Sequence, residues 1–346
     1  MRNNYIVLMV VSLLIFCYAC TNNTASKQTS GEVFTVDLKS AQPVEDVLEK
    51  ISQVSLENKG DTFPGFVHKM LVVNDTLYLL DTFTSRGLYA YDSEGCFLYA
   101  YNQVGQGEQE FIGLADFQVY GDTIYLLDTS GKKIIKLNKQ GKYLSSTRLS
   151  TNPLAFAMDK WGGTWMDVGN TVSSEEAYTL LYKQGITVQN VVPIPRLLYD
   201  MTYAPFFTLI NVGDKVHFLP EMQNCIYSCD RGRANVVYHF DFGKHWYADD
   251  FLAENKKSDF RYFFQKVDEA EYVNELNFLE SDRLLLLSFN CGLKSYVFIY
   301  DKETCKQLLS VKDKDESFRP LAICGDEILF IEMTESCNIV SRYRWL

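Results

Sequence analysis

Proline and glycine are scarce in this sequence, at 8 and 20 of 346 residues. That argues against a collagen-like or low-complexity chain, and the 47% hydrophobic content argues against disorder. Basic residues are outnumbered, 33 against 44 acidic ones, for a net charge of -11. Nucleic-acid binding rests on basic patches, so a nucleic-acid partner is not expected. Histidine is rarer still, with four residues (68, 217, 239 and 245), and none falls in an H-E-x-x-H pattern. There is no C-x-x-C pair and no G-x-S-x-G elbow. What is abundant is aromatic, 14% of the chain. The length fits two average domains or one large all-β domain.

The N-terminus is an address. Arg2 is followed by an apolar run from Tyr5 to Phe16, broken only by Ser12. Even extended to Ala19 it is shorter than the ~20 residues of a bilayer-spanning helix. A basic start, a short apolar core and then small or polar residues is the pattern of a signal peptide, residues 1–20. Ala19 just before Cys20 resembles the lipobox of bacterial lipoproteins, although Cys17 and Tyr18 depart from it. The resemblance implies lipidation at Cys20, a polar tether over 21–31 and membrane attachment through the lipid. Ordinary secretion or a retained anchor are the alternatives. Seven cysteines then remain in the body, an odd number that cannot all pair within one chain, and they read mainly as small buried residues.

The strongest signal is a repeat. Val73–Thr82 (VNDTLYLLDT) returns 47 residues later as Tyr120–Thr129 (YGDTIYLLDT). Weaker copies follow at Asp159–Asp167, Val212–Leu219, Glu280–Leu287 and Cys324–Ile331. Gly-Asp and Asn-Asp pairs make tight hairpin turns because these residues tolerate positive φ. The β-branched and aromatic run after each turn reads as a strand buried on both faces. The span from Gly65 to Leu346 divides into six units of about that same length, each with four strands, which predicts a six-bladed β-propeller over 32–346. The strand Glu32–Leu38 is expected to complete the last blade as its outer edge. Two segments interrupt the period. One, Val191–Tyr203, carries Pro193 and Pro195. The other, about 246–275, has near-helical spacing from Asp259 to Lys266 and predicts a small helical insertion between blades four and five.

Three motifs carry a family resemblance: Gly105–Phe111 (GQGEQEF), Asn224–Tyr227 (NCIY) and Tyr238–Lys244 (YHFDFGK). With these the chain resembles the six-bladed, NHL-like β-propeller lipoproteins common in Bacteroidetes. The resemblance implies the all-β propeller fold and a cell-envelope location, on the periplasmic side or the surface of the outer membrane. It implies no particular reaction.

Candidate chemistry is sparse. Gly105-x-Gly107 lacks the βαβ setting of a phosphate loop and reads as a turn between blades. His239 and Asp241 share one face of a strand, with His245 near in sequence, but form no ligand pattern. Asp159–Trp165 faintly resembles a sialidase Asp-box and reads better as a degenerate blade turn. No catalytic residue, metal ligand or cofactor is therefore expected. Loops between second and third strands, and between blades, open on one face of a propeller. On this reading they include Phe83, Arg86, Lys132, Lys133, Trp161 and Arg319, the expected binding rim. The leading expectation is a binding or scaffold module for a peptide, glycan or envelope protein. The other is a gluconolactonase-like hydrolase or sugar lyase with a divalent metal in the channel, which rests on fold analogy.

Overall fold

The computed structural model describes residues 31–60, 62–172, 177–202, 207–256, 259–313, 319–334 and 337–346. The expected signal peptide and Cys20 lie outside the described residues.

Six antiparallel four-stranded blades form the ring. Blade one is β4 (Lys69–Val73), β5 (Thr76–Asp81), β6 (Gly87–Tyr91) and β7 (Phe97–Tyr101). Blades two to five repeat this order over 114–148, 155–193, 209–241 and 273–313. Their first strands stand side by side around the centre, and the sixth blade's first strand, β24 (Ala322–Cys324), meets β4 to complete the circle. Each repeated turn joins a first strand to a second. Asn74 and Asp75 adopt φ of 48° and 60°, and Gly121 adopts 58°, which is why these positions take Asn, Asp or Gly. The second strand that follows is buried on both faces, as Leu77–Asp81 are.

Closure uses a different strand from the expected one. Leu48–Ser55 (β3) pairs antiparallel with Asn338–Trp345 (β26) and supplies the outer strand of blade six. Glu32–Thr35 (β1) instead runs parallel to Arg233–Asp241 (β19), on the outer edge of blade four. Gln42–Pro43 (β2) does the same on the outer strand of blade five. The N-terminal segment is thus a belt across three blades. The physical reason lies in Phe34. Its ring packs among Tyr238, Phe240, Phe298 and Tyr300, with centroids 4.7–5.7 Å away, and so sits between blades four and five. The closing strand buries little more than Leu48, so it lacks the apolar alternation that marks a strand in sequence.

The helical insertion is present. α1 (Asp249–Asn255) and α2 (Phe260–Glu269) lie between blades four and five, and Asp259 caps α2 by accepting from the Arg261 N–H. Tyr247, Leu252, Phe263 and Val267 pack on Ile194 and Leu198, which covers the ring end at the connection between blades three and four.

The repeated aspartates are anchors. Asp81 accepts five backbone N–H bonds of 2.8–3.0 Å, from Gly65, Phe66, Phe83, Thr84 and Ser85. Asp128 accepts three, from Ile112, Gly113 and Gly131. Each carboxylate ties the loop after its own strand to the connection arriving from the preceding blade. Asp81→Asn replaces one acceptor oxygen by a donor facing N–H groups. We expect a loss of about 2–4 kcal/mol, seen as a lower urea midpoint with an unchanged slope. An unchanged midpoint would show that this anchoring is not needed.

Candidate functional site

The channel is walled by the first strands of all six blades. They enclose a cavity of about 310 Å³, with Lys69, Gln118, Met158, Asn211, Glu280 and Ile323 in its lining. Its polar side chains are engaged with neighbouring blades. Lys69 of blade one bonds Asp116 of blade two at 2.7 Å, both buried. Asp116 also accepts from the Phe156 N–H of blade three at 3.0 Å, and Gln118 donates to the Phe156 carbonyl at 2.9 Å. Asn211 donates to the Met158 carbonyl at 2.7 Å, which joins blade four to blade three. Glu280 of blade five accepts from Tyr238 at 3.1 Å and Lys302 at 2.6 Å, and pairs with His217 of blade four at 2.6 Å. Burial alone would raise the Glu280 carboxyl, but His217 and Lys302 outweigh it and hold it below its ordinary value. Burial pushes the Asp116 carboxyl up, against the pull of Lys69.

The six expected rim residues divide between the two ends. Phe83 and Arg86 follow the second strand of blade one, Lys132 and Lys133 that of blade two, and Arg319 precedes blade six, so these five share the loop end. Trp161 does not join them. It sits in the turn between the first and second strands of blade three, at the opposite end, because the degenerate third repeat begins with that hairpin turn, 159–163, and continues into the strand Thr164–Asp167. There Trp161 is half exposed, with Lys160 and Arg231 5.1 and 5.0 Å from its ring centroid. At the loop end, Phe83 is 76% exposed and lies edge-on to His68. Lys132 is exposed. Lys133 is only 8% exposed and donates to the Gly107 carbonyl at 2.7 Å. Arg86 donates to the Ile112 carbonyl.

The Gly105–Phe111 loop is closed on itself. Glu110 accepts from the Gly107 N–H at 2.7 Å, and a Cβ at Gly105 would meet the Glu110 Oε2 at 2.1 Å. Lys133 pins this loop from below. Among the described residues no three His, Cys, Asp or Glu side chains gather as metal ligands. His239 and Asp241 lie on the outer strand of blade four, beside Val33 and Thr35 of the belt. His245 is 3.8 Å from the Cys291 Sγ, but burial pushes that thiol up to about 11, so it is not a nucleophilic thiolate. All seven described cysteines are free, and Cys96 and Cys305 are exposed rather than buried.

A feature missed in the sequence is a buried acidic pair at the loops of blades three and four. Burial pushes the Asp167 carboxyl up to about 6, despite N–H donation from Gly169 at 2.9 Å. Burial pushes Glu221 up to about 10, and the charge of Asp167 adds to it. A repeat alignment carried the signal: counted from the hairpin turn, Glu221 falls one place beyond the position of Asp81 and Asp128.

These placements separate exposed side chains from supporting ones. Phe83→Ala and Trp161→Ala should leave the melting temperature within about a degree, because exposed side chains contribute little. Lys133→Ala should cost about 1–3 kcal/mol through the lost bonds to the loop carbonyls. Calorimetry on the three variants checks this, and a stable Lys133→Ala would contradict the supporting role.

The fold has solved counterparts. A protein from Bacteroides fragilis described as exported is similar with a TM-score of 0.72 at 16% identity, over 91% of this chain and 99% of that one. A member of the DUF4221 family from Bacteroides vulgatus is similar with a TM-score of 0.63 at 8% identity, over 86% and 98%. No curated protein sequence matches the chain. The DUF5128 family, described as a 6-bladed beta-propeller, matches residues 22–332, and the chain belongs to that family.

Proposed function

We propose that this chain is a lipid-anchored binding module of the cell envelope, which holds a peptide, glycan or envelope protein at the loop end of its ring. The observation that carries this reading is the state of the channel. Lys69, Gln118, Asn211 and Glu280, the polar groups that a reaction there would draw on, already hold adjacent blades together. A hydrolase or lyase reading would have to break those bonds. The loop end instead offers exposed side chains, Phe83 and Lys132, beside the pinned Gly105–Phe111 loop. An exposed aromatic next to a cation suits the face of a sugar or an apolar peptide side chain with a nearby anion. The anchor rests on Cys20 and the apolar segment before it. No helix among the described residues is long and apolar enough to cross a membrane.

Two experiments test the proposal. Cell fractionation of Cys20→Ala should move the protein from the membranes to the soluble fraction, and persistence with the membranes would remove Cys20 as the anchor. Screening against envelope peptides and glycans should yield a ligand whose affinity falls at least tenfold in Phe83→Ala/Lys132→Ala. Turnover of a lactone or glycan that this double variant leaves intact, with no binder found, would overturn the binding-module reading.

A further inference from the structure

At the end of the ring opposite the loops, blade four carries an open pocket of about 460 Å³, within the range of about 300–1,000 Å³ usual for small-molecule sites. Its lining includes Lys215, Ser228, Asp230, Arg233 and Asn235. The register explains why these side chains converge. Asp230 pairs with Arg233 and Ser228 with Asn235, and alternate residues of a strand share one face. His217 pairs with Ser228, so Lys215, two residues before it, lies on that same face. The residues in between, Val216, Cys229 and Ala234, pack into the core shared with blade three instead.

Gly31 forms one wall, where the belt first meets blade four. A Cβ there would meet the Val237 carbonyl carbon and oxygen at 2.5 Å, so only glycine lets the chain come this close. Among the described residues the side chains of Lys215 and Arg233 form no ion pair or hydrogen bond. Neighbouring cations at this end are engaged, Lys160 with Asp214 and Arg231 with Asp230. Asp230 is held through one oxygen. Trp161 Nε1 donates to its Oδ1 at 3.3 Å, and Arg231 Nε lies 3.5 Å from the same atom, which leaves Oδ2 to accept from a ligand. Two cations thus share one pocket without partners, in a chain of net charge -11.

The ligand class follows from charge and hydrogen bonding. Lys215 and Arg233 against Asp230 leave the lining with one positive charge. That suits a carboxylate better than a dianionic phosphate, and a guanidinium fork takes a carboxylate through two parallel bonds. Ser228 and Asn235 can donate and accept, and Asp230 accepts, which matches the hydroxyls of a sugar ring. Val236 and Val237 add apolar surface for its C–H groups. We propose that this pocket binds a uronic acid unit of an acidic glycan, its carboxylate on Lys215 and Arg233 and its hydroxyls on Ser228, Asp230 and Asn235. The site stands at the opposite end from the rim of Phe83 and Lys132 and does not depend on what the rim takes.

The full chain, purified in detergent, is titrated calorimetrically with glucuronate, galacturonate and mannuronate. Glucose, galactose and mannose serve as neutral counterparts, and inorganic phosphate as the competing anion. At least one uronate should bind at one site per chain, about tenfold or more tighter than its neutral counterpart, and its affinity should fall as sodium chloride is added. Lys215→Ala/Arg233→Ala should weaken that uronate by about tenfold or more. The same variant should melt within about a degree of the wild type, because both side chains are exposed. Phe83→Ala/Lys132→Ala should leave the affinity unchanged, which separates this site from the rim. No binding of any uronate, equal binding of the neutral sugar, or full affinity in Lys215→Ala/Arg233→Ala would overturn the proposal. So would loss of the uronate in Phe83→Ala/Lys132→Ala. Phosphate bound more tightly than every uronate would overturn the choice of a carboxylate.

Discussion

A ring of blades has one seam, and here the seam is closed by a backbone ladder between Leu48–Ser55 and Asn338–Trp345, paired from Leu48↔Trp345 to Ser55↔Ile339 with one register shift between Arg342 and Tyr343. Blades of this kind bury their faces only against each other, so an open seam would expose the faces of blades one and six. The closing strand is mostly exposed and polar, and its hold comes from hydrogen bonds rather than from apolar burial. The apolar hold comes earlier in the same segment. Phe34 enters the aromatic cluster between blades four and five, and Val47 and Leu48 join the core that blades one and six share. The belt also covers the outer edges of blades four and five, which would otherwise present unpaired N–H and C=O groups.

Closure determines what the centre can do. Once six first strands stand in a circle, their polar side chains face one another across blade boundaries. Lys69 and Asp116, Gln118 and Phe156, Asn211 and Met158, and Glu280 with His217 lace successive blades together. A buried ion pair adds little net stability, but it specifies which strand stands beside which. These polar groups of the centre are thus committed to holding adjacent blades together. The same logic explains Asp81 and Asp128, which act as knots of backbone N–H bonds in the ring.

Much of this architecture was legible in the sequence because it obeys local rules. Asn74-Asp75, Gly121-Asp122 and Gly213-Asp214 mark hairpins through their φ preferences, and the spacing from Asp259 to Lys266 marks a helix. The closing strand was not legible, because Glu49–Gln53 face solvent and leave no periodic trace. Its place was given to Glu32–Leu38, whose apolar residues serve a different blade. Lys133 read as a surface cation because nothing local shows that the Gly105–Phe111 loop folds over it. Trp161 read as a loop residue because the third repeat has lost the regular turn. The repeat places Glu221 near the anchor position of blade four, but its proximity to Asp167 was not legible, because that residue comes from blade three and only the folded ring brings the two together.

The central claim is that the polar closing strand is a full member of one cooperative ring. Native-state hydrogen exchange tests it most directly, by comparing amides of Leu48–Ser55 with those of Thr76–Asp81 in blade one. The account predicts that both segments exchange only through the same global unfolding, with matching free energies and matching denaturant dependence. Exchange of Leu48–Ser55 through a separate, lower-energy opening, while blade one stays protected, would contradict it.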